Sequence, residues 1–270
     1  MKALPGFLLL ALSFSLLSAQ QPQILPDQAQ NQEQNGVPTV TMHDGGVDQV
    51  LQSIYVPPIL NAPFTAIVHT EWIRSLSDGG TFTVVNQRQI ARDSTGRLYE
   101  ERWLLVPKGG KVKSLMNVIQ IADPSAHTLC NCFLLRKPRQ CVIENYRASA
   151  TAVYRPSQEQ NSPLPNGDGF RTHEDLGIQD ISGIATVGTR DTTTINQGVF
   201  GNDRPYNMIR ESWFASSLGI NLKSEITNPS FGKEVFTLTD VSQSAPDPKL
   251  FEIPEGFEIV DHRKSAPPAE

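Results

Sequence analysis

The apolar positions of this chain recur with two different periods, and the change of period marks its architecture. In GGVDQVLQSIYVPP, Val47, Val50, Leu51, Ile54 and Tyr55 recur at helical spacing, and Pro57-Pro58 stops the run. This predicts one helix ahead of the main fold. Beyond it the period becomes two. The clearest strand is LGINLKSEIT, 218–227, where Leu218, Ile220, Leu222 and Ile226 point one way and Asn221, Lys223, Glu225 and Thr227 the other. Further strands are predicted over 64–76, 81–92, 98–106, 112–122, 184–195, 206–214 and 233–241. Turn chemistry separates many of them: Asp78-Gly79-Gly80, Asp93-Ser94-Thr95-Gly96, Lys108-Gly109-Gly110 and Asn228-Pro229-Ser230-Phe231-Gly232. Strands of about ten residues joined by hairpins form a meander, and at that length they twist and curl. The expected fold is mainly β: a curved antiparallel sheet or half-open barrel with one N-terminal helix packed on it.

Several strands are apolar on both faces. In VKSLMNVIQIA, 112–122, one face carries Val112, Met116 and Val118 and the other Leu115, Ile119 and Ile121. A sheet with water on one side alternates more cleanly, so something covers both sides of the middle strands. The early helix can cover one.

The ends of the chain are of a different kind. MKALPGFLLLALSFSLLSA, residues 1–19, has an early lysine, an apolar run from Phe7 to Leu17, then Ser18 and Ala19. That is the plan of a secretory signal peptide, with an expected cut near Ala19 and an exported, periplasmic or secreted product. No cysteine follows the cut, so a lipid anchor is not indicated. Residues 20–40 are glutamine-rich and proline-punctuated, and read as a disordered linker. The tail 263–270 reads likewise. Between them, 41–262 is expected to form a single β-rich domain, with 156–170 an exposed loop because of its Pro, Asn and Gly content. No later run of about 18 apolar residues occurs, so no transmembrane span is expected in the mature chain. Acidic residues outnumber basic ones by 28 to 23, which argues against nucleic acid as a partner. The basic cluster Arg136-Lys137-Pro138-Arg139 reads as a solvated turn.

The segments PPILNAPFTAIVHTEWIRSLSDGG, NQRQIARDSTGRLYEERW and IADP, then GIATVGTRDTTT, GNDRPYNMIRESW and PDPKLFEIPEGFEIV, resemble a group of exported bacterial proteins with no assigned activity. The likeness runs over most of 55–260. The step at 118–124 and the ending LFEIPEGF also look like the periplasmic lipoprotein-carrier superfamily, which includes envelope-stress regulators. That second resemblance implies a half-open antiparallel barrel whose helices plug an apolar cavity. It assigns no binding residue here.

HTLCNC, 127–132, places His127, Cys130 and Cys132 close together, with Cys141 further on. Four such residues could form a Cys3His zinc site, but Cys-x-Cys is tighter than the usual knuckle spacing. In an oxidising compartment cysteines become disulfides. The eight residues FLLRKPRQ between Cys132 and Cys141 hold a proline turn, so these two can face each other across a pair of strands. The resemblance to the exported group also implies the pair Cys132–Cys141. Cys130 is then an odd thiol on the same face as Cys132, its state left open. No metal and no cofactor is expected.

The sequence holds no G-x-S-x-G elbow, P-loop or dinucleotide fingerprint. His173-Glu174 opens like a zinc-protease helix, but Leu176 and Gly177 follow where the second histidine belongs, in a segment that reads as loop. Asp191 and Asp203 flank a glycine-containing connection, read as a turn rather than a calcium or sugar site. Two carboxylates are sharper. Glu101 shares a strand face with Tyr99 and Trp103, and Glu211 with Ile209 and Trp213. Apolar neighbours could raise both pKa values, and two such groups in one cavity would make an acid/base couple. The alternative is structural pairing, with Arg88 a partner on the face of Phe82, Val84 and Ile90.

These observations point to a non-catalytic binding, carrier or regulatory module of the cell envelope. An apolar cavity walled by Met116, Trp103 and Trp213 would take a lipid-like ligand. One alternative is a hydrolase using Glu101 and Glu211. Another is an interaction or sensing protein that binds an envelope protein without a small ligand.

Overall fold

The computed structural model describes residues 54–146 and 161–263. Fourteen strands form one sheet. They are β1 Phe64–Ser75, β2 Thr81–Arg92, β3 Leu98–Trp103, β4 Val106–Pro107, β5 Met116–Asp123, β6 Thr128–Phe133 and β7 Gln140–Asn145, followed by β8 Ser162–Pro163, β9 Gly169–Ile181, β10 Ile184–Ile195, β11 Tyr206–Ala215, β12 Ile220–Asn228, β13 Gly232–Ser242 and β14 Glu258–Asp261. Their spatial order is β14-β7-β6-β5-β3-β2-β1-β13-β12-β11-β10-β9-β8, with β4 beside β2. Two meanders therefore run outward in opposite directions and are joined where β1 pairs with β13, Val68 opposite Leu238 and Thr70 opposite Phe236. All pairings are antiparallel except that of β14 with β7. The architecture is a curved, open, mainly antiparallel sheet.

The signal segment 1–19, the linker 20–40 and most of the tail lie outside the described residues, as does nearly all of the helix read from Val47 to Tyr55. Ile54 and Tyr55 are irregular backbone. The segment read as a loop at 156–170 is described from Asn161 onward and contains β8, a 3-10 turn at Pro165–Gly167 and the start of β9.

Local chemistry explains the turns. Asp93 Oδ1 accepts hydrogen bonds from the Thr95 and Arg97 amides, both at 2.9 Å, while Gly96 takes a positive φ of 85°. Between β9 and β10 the two-residue turn Ser182-Gly183 has φ values of 54° and 77°, the type I′ geometry whose twist suits a hairpin.

The two faces of the sheet bury different cores. The front face carries Phe64, Val68 and Trp72 of β1, Val84 and Ile90 of β2, Ile220 and Leu222 of β12, and Phe236 and Leu238 of β13, all buried together. Ile54 and Leu218 pack onto them. The back face of β3, β5, β6 and β7 carries a second cluster of Tyr99, Ile121, Cys130, Cys132 and Cys141. The chain between β13 and β14 crosses behind the sheet and covers it, with a 3-10 turn at Pro248–Phe251 burying Phe251 against the cysteines. The doubly apolar middle strands are thus explained, on the back, by a C-terminal strap rather than a helix. Each large side chain buried this way contributes roughly 1.5–3 kcal/mol.

A bulge corrects one reading of β5. Arg102 pairs with Val118 and Trp103 with Met116, so Asn117 is the extra residue. Met116 and Val118 consequently face opposite sides of the sheet. Val112 and Leu115 lie outside β5, both exposed.

Candidate functional site: an apolar cleft on the front face

A cleft of 370 Å³ opens on the front face beside the main core. Its floor is apolar and comes from four adjacent strands: Ile90 of β2, Leu98 of β3, Ala122 of β5 and Leu129 of β6. Ile54, Tyr55 and Val56 form one wall, and Asn145 and Tyr146 stand at the end of β7. Along one side runs a polar row, Glu100 opposite Gln120 and Gln120 opposite Asn131.

Arg92 holds the wall in place. Its guanidinium is fully buried and donates to the carbonyl oxygens of Pro57 (2.7 Å), Ala62 (2.8 Å) and Leu218 (2.6 Å) while lying over the Phe64 ring. Burial pushes its pKa down to about 10, still well above neutrality. One side chain thus ties together three carbonyls from two segments of the chain, that of Pro57 also accepting from the Ile59 amide at 2.9 Å.

Behind the polar row sits an ion-pair cluster. Arg88, 1 % exposed, lies 3.4 Å from Glu100 Oε1, and Arg102 reaches Glu100 Oε2 at 3.2 Å. Burial pulls the Arg88 pKa to about 10; Glu100 raises it and Arg102 lowers it further. Gln120 bonds Asn131 at 2.8 Å. At the mouth, burial and then the neighbouring Tyr146 push the Tyr55 pKa up to about 12, and burial raises that of Tyr146. Both phenols are therefore neutral donors at physiological pH.

The sequence-derived candidates fall mostly elsewhere. Glu101 is on the back face, opposite to Arg88, and accepts from Trp103 Nε1 (2.8 Å), Tyr99 Oη (3.1 Å) and the Gln89 amide (3.2 Å). Arg88 meets Glu100 instead. Burial raises the Tyr99 pKa, and Glu101 adds to the rise. Glu211, also on the back, accepts from Trp213 Nε1 and from Arg190 Nη2, both at 3.0 Å. Burial pushes the Glu211 carboxyl up, but those two bonds and the Arg190 charge outweigh it and hold the group below its usual range. The expected rise is reversed there. Between Glu101 on β3 and Glu211 on β11 stand β2, β1, β13 and β12; at about 4.8 Å per strand the structure does not bring them together as a couple. Met116 and Trp103 pair on the back face, and Trp213 lies over Gly188 on the same face, so none of the three lines the front cleft.

The cysteines close on the back. Cys132 and Cys141 form a disulfide across the β6–β7 pair, and Cys130 is a buried free thiol 3.6 Å from Cys132 Sγ. Burial raises its pKa. The three sulfurs lie within 4.8 Å of one another, two of them already bonded together. Arg136 and Arg139 of the basic turn stack on Phe133 and Phe257. His173 is in strand β9, with Nδ1 2.6 Å from Asp191 Oδ1.

The cleft residues Glu100, Gln120, Leu98 and Leu129 escaped the sequence reading. The signal was there in parity: Arg92 pairs with Leu98, which puts Leu98, Glu100 and Arg102 on the face of Arg88 and Ile90. Only the register across the 93–97 turn reveals it.

No family model matches the chain, and no curated relative matches it. Solved structures do. MucB is similar over 74 % of this chain at 13 % identity with a TM-score of 0.36, and the chain spans 60 % of the MucB length. Mycobacterium tuberculosis lipoprotein LppX is similar over 69 % of this chain and 89 % of its own, at 13 % identity and a TM-score of 0.31. A lipoprotein-sorting protein domain from Vibrio parahaemolyticus is similar over 70 % of this chain and 89 % of its own, at 8 % identity and a TM-score of 0.18.

Proposed function

We propose that this chain is an exported, non-catalytic binding module of the cell envelope whose front cleft takes an apolar, lipid-like ligand. The observation that carries this reading is the cleft itself. Its volume of 370 Å³ lies in the ~300–1,000 Å³ range of small-ligand sites, and such sites combine an apolar lining with a few placed polar groups. Export rests on the signal-peptide pattern at 1–19, and no described helix is long and apolar enough to cross a membrane.

The test is binding of a neutral fluorescent apolar dye, together with mass spectrometry of whatever is extracted from protein purified from its native host. Ala122 is buried in the floor, so Ala122→Trp should fill the cleft and abolish dye binding while the β-sheet circular dichroism persists. Met116→Arg, on the back face, serves as the control that retains binding. Wild-type protein that neither binds the dye nor yields an extractable ligand would overturn the reading.

The interaction-protein alternative also has an observation behind it. Among the described residues, β8 pairs only with Phe170 and Arg171 of β9, and Ile178 further along that strand is 80 % exposed. An open edge of this kind is a template for strand addition by a partner. A partner retained through purification, with an empty cleft, would favour it.

A further inference from the structure

The cleft's lining carries a bias in charge. Among the described residues that line it, Glu100 alone is charged; the other polar side chains are Gln120, Asn145, Tyr55 and Tyr146, the Tyr99 phenol lying on the back face against Glu101. Among the described residues, no lysine, arginine or histidine lines the space. Arg88 and Arg102 do not line the space; they bind Glu100 at 3.4 and 3.2 Å, and Arg102 also donates to Gln120 Oε1 at 3.5 Å. A carboxylate accepts at about four lone-pair sites. The two guanidiniums leave Glu100 with acceptor capacity on its cleft side, and its side chain keeps 15 % of its surface accessible.

We infer that the cleft selects amphiphiles whose head donates hydrogen bonds and bears no negative charge, the hydroxyl-headed acyl esters, and rejects free fatty acids. This rests on the apolar-ligand reading above and adds the class of head group. An acyl chain along Ile90, Leu98, Ala122 and Leu129 can place its head at either end of the cleft. Towards the polar row a hydroxyl donates to Glu100 and Gln120. At the mouth it meets Asn145 and the two neutral phenols. Among the described lining residues a fatty-acid carboxylate finds no cation in either orientation. Beside Glu100 it faces a like charge, and the two guanidiniums that offset that charge are already engaged with Glu100 and do not line the space. For such a ligand to reach Arg88, whose side chain is 1 % exposed, Glu100 would have to be displaced.

The experiment is displacement of N-phenyl-1-naphthylamine, a neutral apolar dye, from the full mature protein by lauroyl glycerol, laurate and laurylamine, which share one acyl length. The ester and the amine are expected to displace the dye at concentrations at least about tenfold lower than laurate. In Glu100→Gln, which keeps the hydrogen-bonding shape and removes the charge, laurate should gain and the gap should close. Should that variant fail to fold, Gln120→Glu leaves the Arg88–Glu100 pair in place and is expected to widen the gap. Laurate competing as well as the ester in the wild-type protein overturns the head-group preference and leaves the apolar-ligand reading standing. Failure of the dye itself to bind overturns both.

Discussion

Glu100 and Glu101 are adjacent in β3, yet their carboxylates serve opposite faces of the sheet. Glu100 sits against the buried guanidinium of Arg88 on the front, and Glu101 accepts from Tyr99 and Trp103 on the back. The pleat alone separates them. Their removal should therefore differ in cost. Glu100→Ala leaves Arg88 buried beside another cation, Arg102, and is expected to lose about 3–5 kcal/mol in chemical denaturation. Glu101→Ala removes hydrogen bonds to neutral donors only and should cost about 1–2 kcal/mol. Equal losses would show that Arg88 does not depend on Glu100.

Phe251 and Cys130 are linked by burial in one cluster. The strap that carries Phe251 shields the thiol, and burial raises the thiol's pKa, so Cys130 should resist alkylation in the native protein. Phe251→Ala is expected to cost about 3–5 kcal/mol and to speed Cys130 alkylation under native conditions. An unchanged alkylation rate would mean that another segment guards the thiol.

The disulfide gives a separate check. Non-reducing peptide mapping should find Cys132 joined to Cys141. Replacing both by alanine should lower stability by about 2–3 kcal/mol, the entropy of a short closed loop. A Cys130–Cys141 peptide as the main product would refute the assignment.

His173 makes the β9–β10 pairing sensitive to pH. Its hydrogen bond to Asp191 raises the pKa above the ordinary 6.5, partly opposed by burial, with the Asp191 charge and then Asp175 adding to the rise. Arg171 on β9 and Arg210 on β11 occupy neighbouring register positions. The folded state holds the proton more tightly than the unfolded chain, so the contribution is fully present below 6.5 and is lost as pH rises through the folded value. His173→Gln should lower Tm most in mildly acidic buffer, and the difference from wild type should shrink as pH increases. A difference that grows with pH would reverse the sign.

What the sequence disclosed and what it concealed follow from where each strand lies. The alternation in 184–195 and 81–92 marks β10 and β2 to the residue, because one face of each meets a packed neighbour. Strand β9 escaped notice, since FRTHEDLGIQDI belongs to an edge whose faces are largely exposed and which has no apolar period to reveal it. Its one legible sign was Ser182-Gly183 between two isoleucines. In LYEERW both parities carry a glutamate and an aromatic or apolar residue, so composition could not say which face met the cleft. At 112–122 the bulge at Asn117 breaks the parity on which the pairing of Met116 with Val118 depended. A bulge leaves no mark in a hydrophobic pattern.

Arg92 offers the most direct test of how the cleft is built. It joins Pro57 and Ala62, which follow the wall segment, to Leu218 at the β11–β12 turn. A flexible apolar replacement, Arg92→Met, fills much of the volume but removes the guanidinium donor from the buried Leu218 carbonyl, worth about 1–3 kcal/mol, and cuts the ties to Pro57 and Ala62. The wall Ile54–Val56 hangs from the Pro57 bond, whereas the front core at Val68, Leu238 and Phe236 is tied by the β1–β13 ladder. Loss of Arg92 should therefore loosen the wall before it unfolds the sheet. Hydrogen exchange should quicken around the Ile59 and Asn61 amides, which bond to Pro57 and Ser94 carbonyls, while β1 and β13 stay protected. Dye affinity for the cleft should fall with it. Full dye affinity in an Arg92→Met protein with loosened 54–62 amides would show that the floor binds without the wall.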